Sequence, residues 1–494
     1  MTSLPKPINC VAFDCGNSSF RTVLGTFDGV RTNMEVILQV PHNTIEINGL
    51  YYWDILHVYE GLKQGLKEAF VRAGHIDSIG ICTWGVDFGF LDENGYLLAN
   101  PLCYRNSIGE EQLSGLSAEE KRWVFDQTGI QNNRINSLYQ LTGIKRIMPD
   151  LFGIARHLLM VPDLLSYFFT GEKFTEFSIA STTQLFDMRN KQYAEDVLDR
   201  FGIPKKMCKP LKQHGEVIGM LKQSIADELR IPVCPVICVP SHDTACAVAA
   251  VPAQEEDFLF ISSGTWSLIG TELQAPEITQ EVYERDFANE GGVFNTITLL
   301  KNSAGMHILQ CIRRDLESGG EKYTWDEIVG LARSYQGEPG LFDPNSYELF
   351  NPKNMIAAIR ELMKDDNAPI EKVLSSTYAS LAYTYRRTIE QIQEVTGKDY
   401  SSIYIVGGGS QNAYLNQLTA DLTGKKVFSG PKEATSLGNI GVQLVSHIPG
   451  FGLAEIREMV RNSESISSFY PDPDRDSHLI DARYKDFYEN KLQV

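Results

Sequence analysis

A short apolar strand, a turn of small polar residues and a second strand open this chain, and the same unit returns near its middle. Ile8 to Phe13 leads into Asp14-Cys-Gly-Asn-Ser-Ser19, and Arg21 to Phe27 follows as the second strand. Asp257-Phe-Leu-Phe-Ile-Ser-Ser-Gly-Thr-Trp-Ser-Leu-Ile-Gly270 repeats that order in pattern, though hardly in identity. Two unrelated hairpins would share so much. Length adds the missing weight: 494 residues exceed what one hydrophobic core can organise, so two large domains are expected. Two copies of one fold then place a boundary near Val251-Pro-Ala-Gln-Glu-Glu256, dividing the chain into 1–252 and 253–494.

The rest of the pattern supports an α/β chain. After the opening hairpin, Asp28-Gly29 signals a turn and Met34 to Val40 a third strand. Trp53 to Ala73 has helical spacing, with Ile55, Leu56, Val58, Tyr59, Leu62, Leu66 and Phe70 toward one face. Ser78 to Thr83 is a further strand, ending in Trp84-Gly-Val-Asp87. Three strands, a helix and a strand begin the order of ribonuclease-H-like and actin-like nucleotide-binding domains. Later, Leu151 to Phe169 reads as one helix, and Val233 to Val239 as a buried strand entering Pro240-Ser-His-Asp-Thr244. Lys372 to Thr396 is a long helix, and Ser402 to Val406 a strand that breaks into Gly407-Gly-Gly409. Helices over Gln411 to Leu422 and Thr435 to Ser446 complete the core, with a peripheral tail from Pro449.

Charge and cysteines bound the partners. The 45 basic and 63 acidic residues leave −18, a field that repels nucleic acid and anionic membranes. An anionic nucleotide remains admissible, because backbone N–H groups and a cation or two can hold phosphates locally. Met1 to Pro7 has no apolar stretch of the kind a signal peptide carries, and no run approaches the ~20 apolar residues of a membrane helix. Nine scattered cysteines, several inside apolar runs, fit buried reduced thiols; there is no Cys-x2-Cys or His-x3-His for zinc. A cytoplasmic protein without zinc is expected.

Five short runs could carry chemistry. In Asp14 to Arg21, Gly16 permits a sharp turn, Ser18 and Ser19 offer hydroxyls and N–H groups, and Arg21 supplies a fixed cation. That is what a phosphate-holding hairpin needs, and also what an ordinary polar turn contains. Asp14 could hold Mg²⁺ through water. No Gly-x4-Gly-Lys-Ser/Thr occurs, which disfavours a P-loop. Ser241-His-Asp-Thr244 follows a strand and precedes a small apolar helix; Asp243 could accept a hydroxyl proton while His242 and Thr244 bind a polyol, or Asp243 and Thr244 could simply cap the helix. Ile261 to Trp266 offers Gly264 and Thr265 to a phosphate, and Gly407 to Asn412 leaves backbone open to an adenosine. Gly85 lets a sugar approach the main chain. Each run sits at a strand end, where open α/β sheets place ligands.

Taken in order, these runs resemble the FGGY family of carbohydrate kinases, and within it the branch acting on L-rhamnulose. The resemblance rests on Asp14-x-Gly-x-Ser-Ser-x-Arg21, Ile76 to Phe88, Ser137-Leu-Tyr-Gln-Leu141, Ser241-His-Asp-Thr244 and Ser262-Ser-Gly-Thr-Trp-Ser267. Asn289-Glu-Gly-Gly292, Leu300-Lys-Asn302, Val406 to Asn412 and Ala434 to Gly441 extend it over nearly the whole chain. It implies two ribonuclease-H-like domains of the actin-like ATPase superfamily flanking a catalytic cleft, a sugar-binding 1–252 and a nucleotide-binding 253–494. Asn17, Ser18, Ser19, Phe20 and Arg21 would form the ATP phosphate loop, completed by Thr265, Gln310 and Gly408. Gly85, His242, Asp243, Thr244 and Asn302 would contact the sugar, with Asp243 the general base and Mg²⁺ accompanying ATP. Pro162-Asp-Leu-Leu-Ser-Tyr-Phe168 replaces the Lys-x3-Trp-type signature of many relatives, which counts against glycerol, xylulose or gluconate. The alternatives are L-fuculose or another ketose as substrate, a sugar sensor without catalysis, and an actin- or Hsp70-like ATPase. A homodimer is a family expectation only.

Overall fold

Two mixed sheets with one strand order organise the protein, whose computed structural model describes residues 6–491. Most of the N-terminal stretch Met1 to Pro7 therefore lies outside the described residues, as do residues 492–494 of the tail. In the first sheet, strand Ile8–Cys15 pairs antiparallel with Ser19–Phe27 and parallel with Ser78–Thr83. Thr32–Pro41 flanks the hairpin on one side, and Pro235–Ile237 and Val217–Met220 continue the sheet beyond Ser78–Thr83. In the second, Leu259–Ser263 pairs antiparallel with Trp266–Leu273 and parallel with Ser402–Val406, with Lys426–Ser429 next in line. The recurrence of the opening hairpin is thus a recurrence of topology.

Contacts divide the chain into two compact units that are discontinuous in sequence. The first comprises residues 1–254, 272–299 and 433–464; the second comprises 255–271, 300–432 and 465–494. Helix Ala434–Val445 thereby belongs to the unit that holds the opening hairpin, although it lies far along the chain.

Several elements differ from their sequence reading. Leu151 to Phe169 is not one helix: strand His157–Met160 separates helices Pro149–Ile154 and Val161–Thr170. That strand pairs with Phe88–Leu91, a partner too distant in sequence for local periodicity to reveal, and Pro162 suits the first turn of the second helix. Leu56 is 53% exposed, so it lies off the apolar face of helix Ile55–Ala73. The buried strand before Ser241 is only Pro235–Ile237. All nine cysteines are free, eight of them buried.

Helix Ala434–Val445 shows why small residues recur in these segments. Gln443 accepts from the Ser78 hydroxyl (2.8 Å) and donates to the Val11 carbonyl (3.1 Å). A Cβ at Gly80 would stand 2.3 Å from Asn439 Oδ1, so the sheet must be bare there. It also packs on helix Asp243–Ala249, met at Gly438, where a Cβ would lie 1.9 Å from the Cys246 carbonyl oxygen. Backbone cannot yield as a side chain can. Gly438→Ala should therefore lower stability by about 1–3 kcal/mol, the usual scale of overpacking, read as a fall in melting temperature. Gly330→Ala, in a helix with open space around the added methyl, should leave it unchanged or higher; equal melting for the two variants would refute the packing argument.

Candidate active site

In the first unit, three neighbouring parallel strands end together. The Thr83 N–H donates to the Ser241 carbonyl (2.8 Å), and the Trp84 N–H to that of Cys15 (3.2 Å). Strand ends leave backbone and side chains free to face a ligand, and the expected sugar residues of this unit meet there. A Cβ at Gly85 would sit 3.0 Å from Thr182 Cγ2 and 3.3 Å from His242 Nε2, so glycine keeps the main chain accessible beside the imidazole. Val86 follows with φ of 68°, an uncommon conformation for a β-branched residue. It is pinned from both sides: its N–H donates to the Thr182 hydroxyl (2.9 Å), and its carbonyl accepts from the Ser137 hydroxyl (2.6 Å). Asp87, next along, accepts from the Trp53 and Trp84 indoles, and burial pushes its carboxyl up to about 7 against those hydrogen bonds.

Asp243 is the first residue of helix Asp243–Ala249, with His242 at the cap position. Its Oδ1 accepts from the Thr244 N–H (2.7 Å) and more weakly from the Thr244 hydroxyl (3.3 Å). The capping considered for Asp243 and Thr244 is not what the structure has: His242 holds the cap position, no side chain caps this helix, and Asp243 uses one oxygen on its neighbour Thr244. Among the described residues nothing donates to Oδ2, and 35% of the side chain remains exposed. Burial raises the carboxyl, the His242 charge lowers it, and Asp14 raises it again. The Thr244 hydroxyl donates to that carboxylate and keeps its lone pairs to accept from a polyol. His242 lies with Nε2 3.4 Å from Asp243 and Nδ1 at ion-pair distance, 3.2 Å, from Glu290. Burial pulls the imidazole down, but Glu290, with Asp243 and Glu176 behind it, lifts it to about 9.

The loop carrying these groups hangs on a buried anion. Glu176 is fully buried and accepts from the N–H (3.0 Å) and hydroxyl (2.6 Å) of Ser241, from both of these groups on Ser178, and from the Ile179 N–H. His214 Nε2 lies 2.5 Å away, while His214 Nδ1 accepts from the Phe294 N–H (2.8 Å). The second bond fixes the tautomer: a ring nitrogen that accepts carries no proton, so Nε2 must be the donor to Glu176.

Hairpin Ile8–Phe27 closes tightly, with the Gly16 N–H donating to the Ser19 carbonyl (2.9 Å). Asn17 and Ser18 are exposed at its tip, and their N–H groups make no hydrogen bond among the described residues. Ser19 is half-buried and its hydroxyl accepts from Gln39 (3.2 Å). Two expectations change here. Phe20 is fully buried, its ring so close to helix Ile55–Ala73 that a Cβ at Gly61 would fall 2.3 Å from it; only its backbone can face a phosphate. Arg21 is not a free cation: it pairs with Asp14 and, at 2.6 Å, with Glu433. Asp14 takes Arg21 and the Ser436 hydroxyl on Oδ2 and leaves Oδ1 unbonded among the described residues.

The second unit assembles its own set. Gly407 has φ of 84°, and a Cβ on it would meet the Ser263 carbonyl at 2.9 Å; one on Gly409 would meet Ser263 Oγ at 2.0 Å. Gly408 between them has open space. The glycine loop therefore lies against hairpin Leu259–Leu273, whose tip exposes Gly264 and Thr265. The carbonyls of Gly264 and Thr265 accept from the first N–H groups of helix Met306–Glu317 (both 3.1 Å). Gln310 is exposed one turn along that helix, and Asn302 is exposed near the end of strand Ile297–Ala304. Gly407 and Gly409 on one side and the helix start on the other bring Gly408 and Thr265 to the same hairpin, while the Asn302 side chain makes no hydrogen bond with these groups among the described residues.

Sequence reading missed Glu176, His214, Glu433 and the role of Glu290. Glu290 lay in a quoted run without a function, and Glu176 stood among apolar and small residues in Phe174-Thr-Glu-Phe-Ser-Ile-Ala180, where a lone acid needs a partner. Nothing local marks His214.

Comparison with known proteins identifies the class. Residues 9–249 match the N-terminal domain of the FGGY family of carbohydrate kinases, and residues 259–447 its C-terminal domain. The chain belongs to that family, and is a sugar phosphotransferase of two-domain, actin-like ATPase architecture. It is 37% identical over 487 residues to a rhamnulokinase of Bacteroides thetaiotaomicron, covering 97% of this chain and 98% of that one. A rhamnulokinase of Bacillus subtilis is 32% identical, covering 93% and 95%. The fold matches gluconate kinase from Lactobacillus acidophilus at a TM-score of 0.83 and 15% identity, over 99% of this chain and 98% of that one. Plasmodium falciparum glycerol kinase with ADP matches at 0.79 and 16%, over 100% and 99%. No helix among the described residues is long and apolar enough to cross a membrane.

The Glu176 network predicts a pH dependence of stability. Burial alone would raise this carboxyl, but the hydrogen bonds from His214, Ser178 and Ser241 outweigh it and hold it at about 2, below the usual 4.5. A carboxyl depressed by folding stabilises fully above its unfolded value, and that stability is lost as pH falls from 4.5 toward 2. The urea midpoint of the wild type should decline through this window. Glu176→Gln should be less stable at neutral pH and flatter through the window, because an amide sets N–H against donors; parallel curves for the two proteins would contradict the assignment.

Proposed function

We propose that this enzyme transfers the γ-phosphoryl group of ATP to the 1-hydroxyl of L-rhamnulose, giving L-rhamnulose 1-phosphate and ADP. The observation carrying the chemistry is Asp243, whose Oδ1 is held by Thr244 and lies 3.4 Å from His242 Nε2 while Oδ2 accepts nothing among the described residues. A carboxylate so arranged can take the hydroxyl proton on Oδ2 as the sugar oxygen bonds to phosphorus and the bond to the ADP oxygen breaks. A chaperone-like ATPase or a sensor has no use for such a base. The substrate reading is supported by the rhamnulokinases at 30–37% identity over most of the chain; L-fuculose is the alternative.

For the nucleotide, the first hairpin offers the N–H groups of Asn17 and Ser18; separately, the Thr265 turn, Gly408 and Gln310 form the set in residues 253–494 that the resemblance assigns to ATP. With Arg21 engaged by two carboxylates, backbone supplies much of the phosphate recognition. Mg²⁺ would screen the charge of the β- and γ-phosphates. Asp14, with Oδ1 unbonded, fits a metal carried in by the nucleotide and held through water; no group of three acidic, histidine or cysteine side chains among the described residues offers a site of its own. The working environment is the cytoplasm, and the sugar and MgATP are the partners, with a homodimer as the assembly.

With MgATP, a panel of ketoses should show the highest kcat/KM for L-rhamnulose. L-fuculose or L-ribulose ahead by tenfold, about 1.4 kcal/mol in transition-state binding, would reassign the substrate. ADP release unaffected by any ketose would instead make the protein an ATPase.

A further inference from the structure

His242 stands between two carboxylates, with each of its ring nitrogens within ion-pair distance of one of them and Nδ1 outside hydrogen-bond geometry. Nδ1 lies 3.2 Å from Glu290 Oε2 and Nε2 lies 3.4 Å from Asp243 Oδ1. A neutral imidazole has one N–H and would turn a lone pair toward one of the two anions. Only the imidazolium suits both. The ring has little freedom to do otherwise: it is nine-tenths buried, Gly85 packs on its Nε2 side, and its backbone N–H is held by the Ser178 hydroxyl (3.1 Å).

We propose that Glu290 is a positioning residue for the base: it keeps the proton on His242, and the imidazolium in turn keeps Asp243 a carboxylate with Oδ2 free to take the sugar proton. The inference rests on Asp243 being the base. It extends that reading to a group outside the substrate contacts, because Glu290 faces the imidazole and acts through it.

The proton count carries the argument. Asp243 and His242 share a proton in the working state. It resides on His242 when the pair is His⁺/Asp⁻ and on Asp243 when the pair is His/AspH. Enclosure by protein disfavours the charged pair, and Asp14 opposes the carboxylate further. Glu290 is the added charge that tips the proton toward the imidazole.

The other groups around the pair do not replace it. Glu176 sits behind Ser241 and Ser178, adds a smaller pull on the imidazole than Glu290 does, and has its own oxygens filled by hydrogen bonds. Asp14 is offset by Arg21. Helix Ala434–Val445, packed on helix Asp243–Ala249, carries no titratable side chain, and neither does the turn Val293–Asn295. Helix Leu453–Ser463 brings Arg457, which is bonded to Glu272 (3.1 Å). The remaining neighbours are the thiols of Cys82 and Cys246.

The test has two readouts on Glu290→Gln, with Glu290→Asp as a second variant of retained charge and shorter reach. The first is the ring titration of His242 by ¹H–¹⁵N NMR in the full-length enzyme, which does not involve activity. The second is kcat/KM for the ketose against pH. In Glu290→Gln the His242 midpoint should fall by about one unit or more, and the acid limb of the rate profile should rise by about one unit. Activity should recover toward high pH, KM for the ketose should change by less than about threefold, and Glu290→Asp should lie between the two. A His242 midpoint unmoved by Glu290→Gln, or by Glu290→Asp should the first variant fail to fold, overturns the proposal whatever Asp243 does. A midpoint that falls while the acid limb stays fixed overturns it differently, by removing Asp243 as the group that the limb reports. A uniform loss of rate at every pH would make Glu290 merely structural.

Discussion

A carboxylate enclosed by protein must be surrounded by donors, or it will not stay charged. Glu176 meets that demand with the backbone and hydroxyl groups of Ser178 and Ser241, the N–H of Ile179 and a histidine whose tautomer is fixed from behind. Because those donors come from segments far apart in sequence, satisfying one anion joins helix Phe177–Ala180, the His214 turn and the loop that starts helix Asp243–Ala249. Ser241 is the last residue before His242. Its position sets where the imidazole and the carboxylate after it can lie.

From there each cation stands between two carboxylates: His242 between Glu290 and Asp243, and Arg21 between Asp14 and Glu433. Such an array lets a strongly acidic protein keep an ionised carboxylate in an enclosed place without a free cation beside it. It also changes how an anionic nucleotide would be received. With Arg21 committed, backbone N–H groups such as those of Asn17 and Ser18 would be the donors the first hairpin can offer a phosphate, at no cost in net charge. The glycines at 407 and 409 let their loop lie directly against Ser263, which leaves Gly408 open.

Much of this was legible in the sequence, and for physical reasons. Hairpins, the Ser78–Thr83 strand and the 27-residue helix Ile370–Thr396 are local patterns, and local periodicity reports them. Asp14, Gly85 and Asp243 could be singled out because small or acidic residues at strand ends point to ligands. What escaped depends on distance in sequence. Strand His157–Met160 exists because Phe88–Leu91 pairs with it. Phe20 belongs to the core because Gly61, far along the chain in helix Ile55–Ala73, makes room for its ring. Arg21 looked free because Glu433 approaches from helix Ala434–Val445, which no reading of the first domain alone could supply.

The claim on which the account turns is that Asp243 accepts the proton of the attacking hydroxyl. Asp243→Asn isolates it, since an amide oxygen can still take the Thr244 N–H that Oδ1 now accepts while the side chain loses its basicity. The measurement is kcat of the folded variant at saturating MgATP and ketose. The account predicts a fall of roughly 10²- to 10⁴-fold with little change in sugar affinity. A folded Asp243→Asn enzyme that turns over at the wild-type kcat would contradict it.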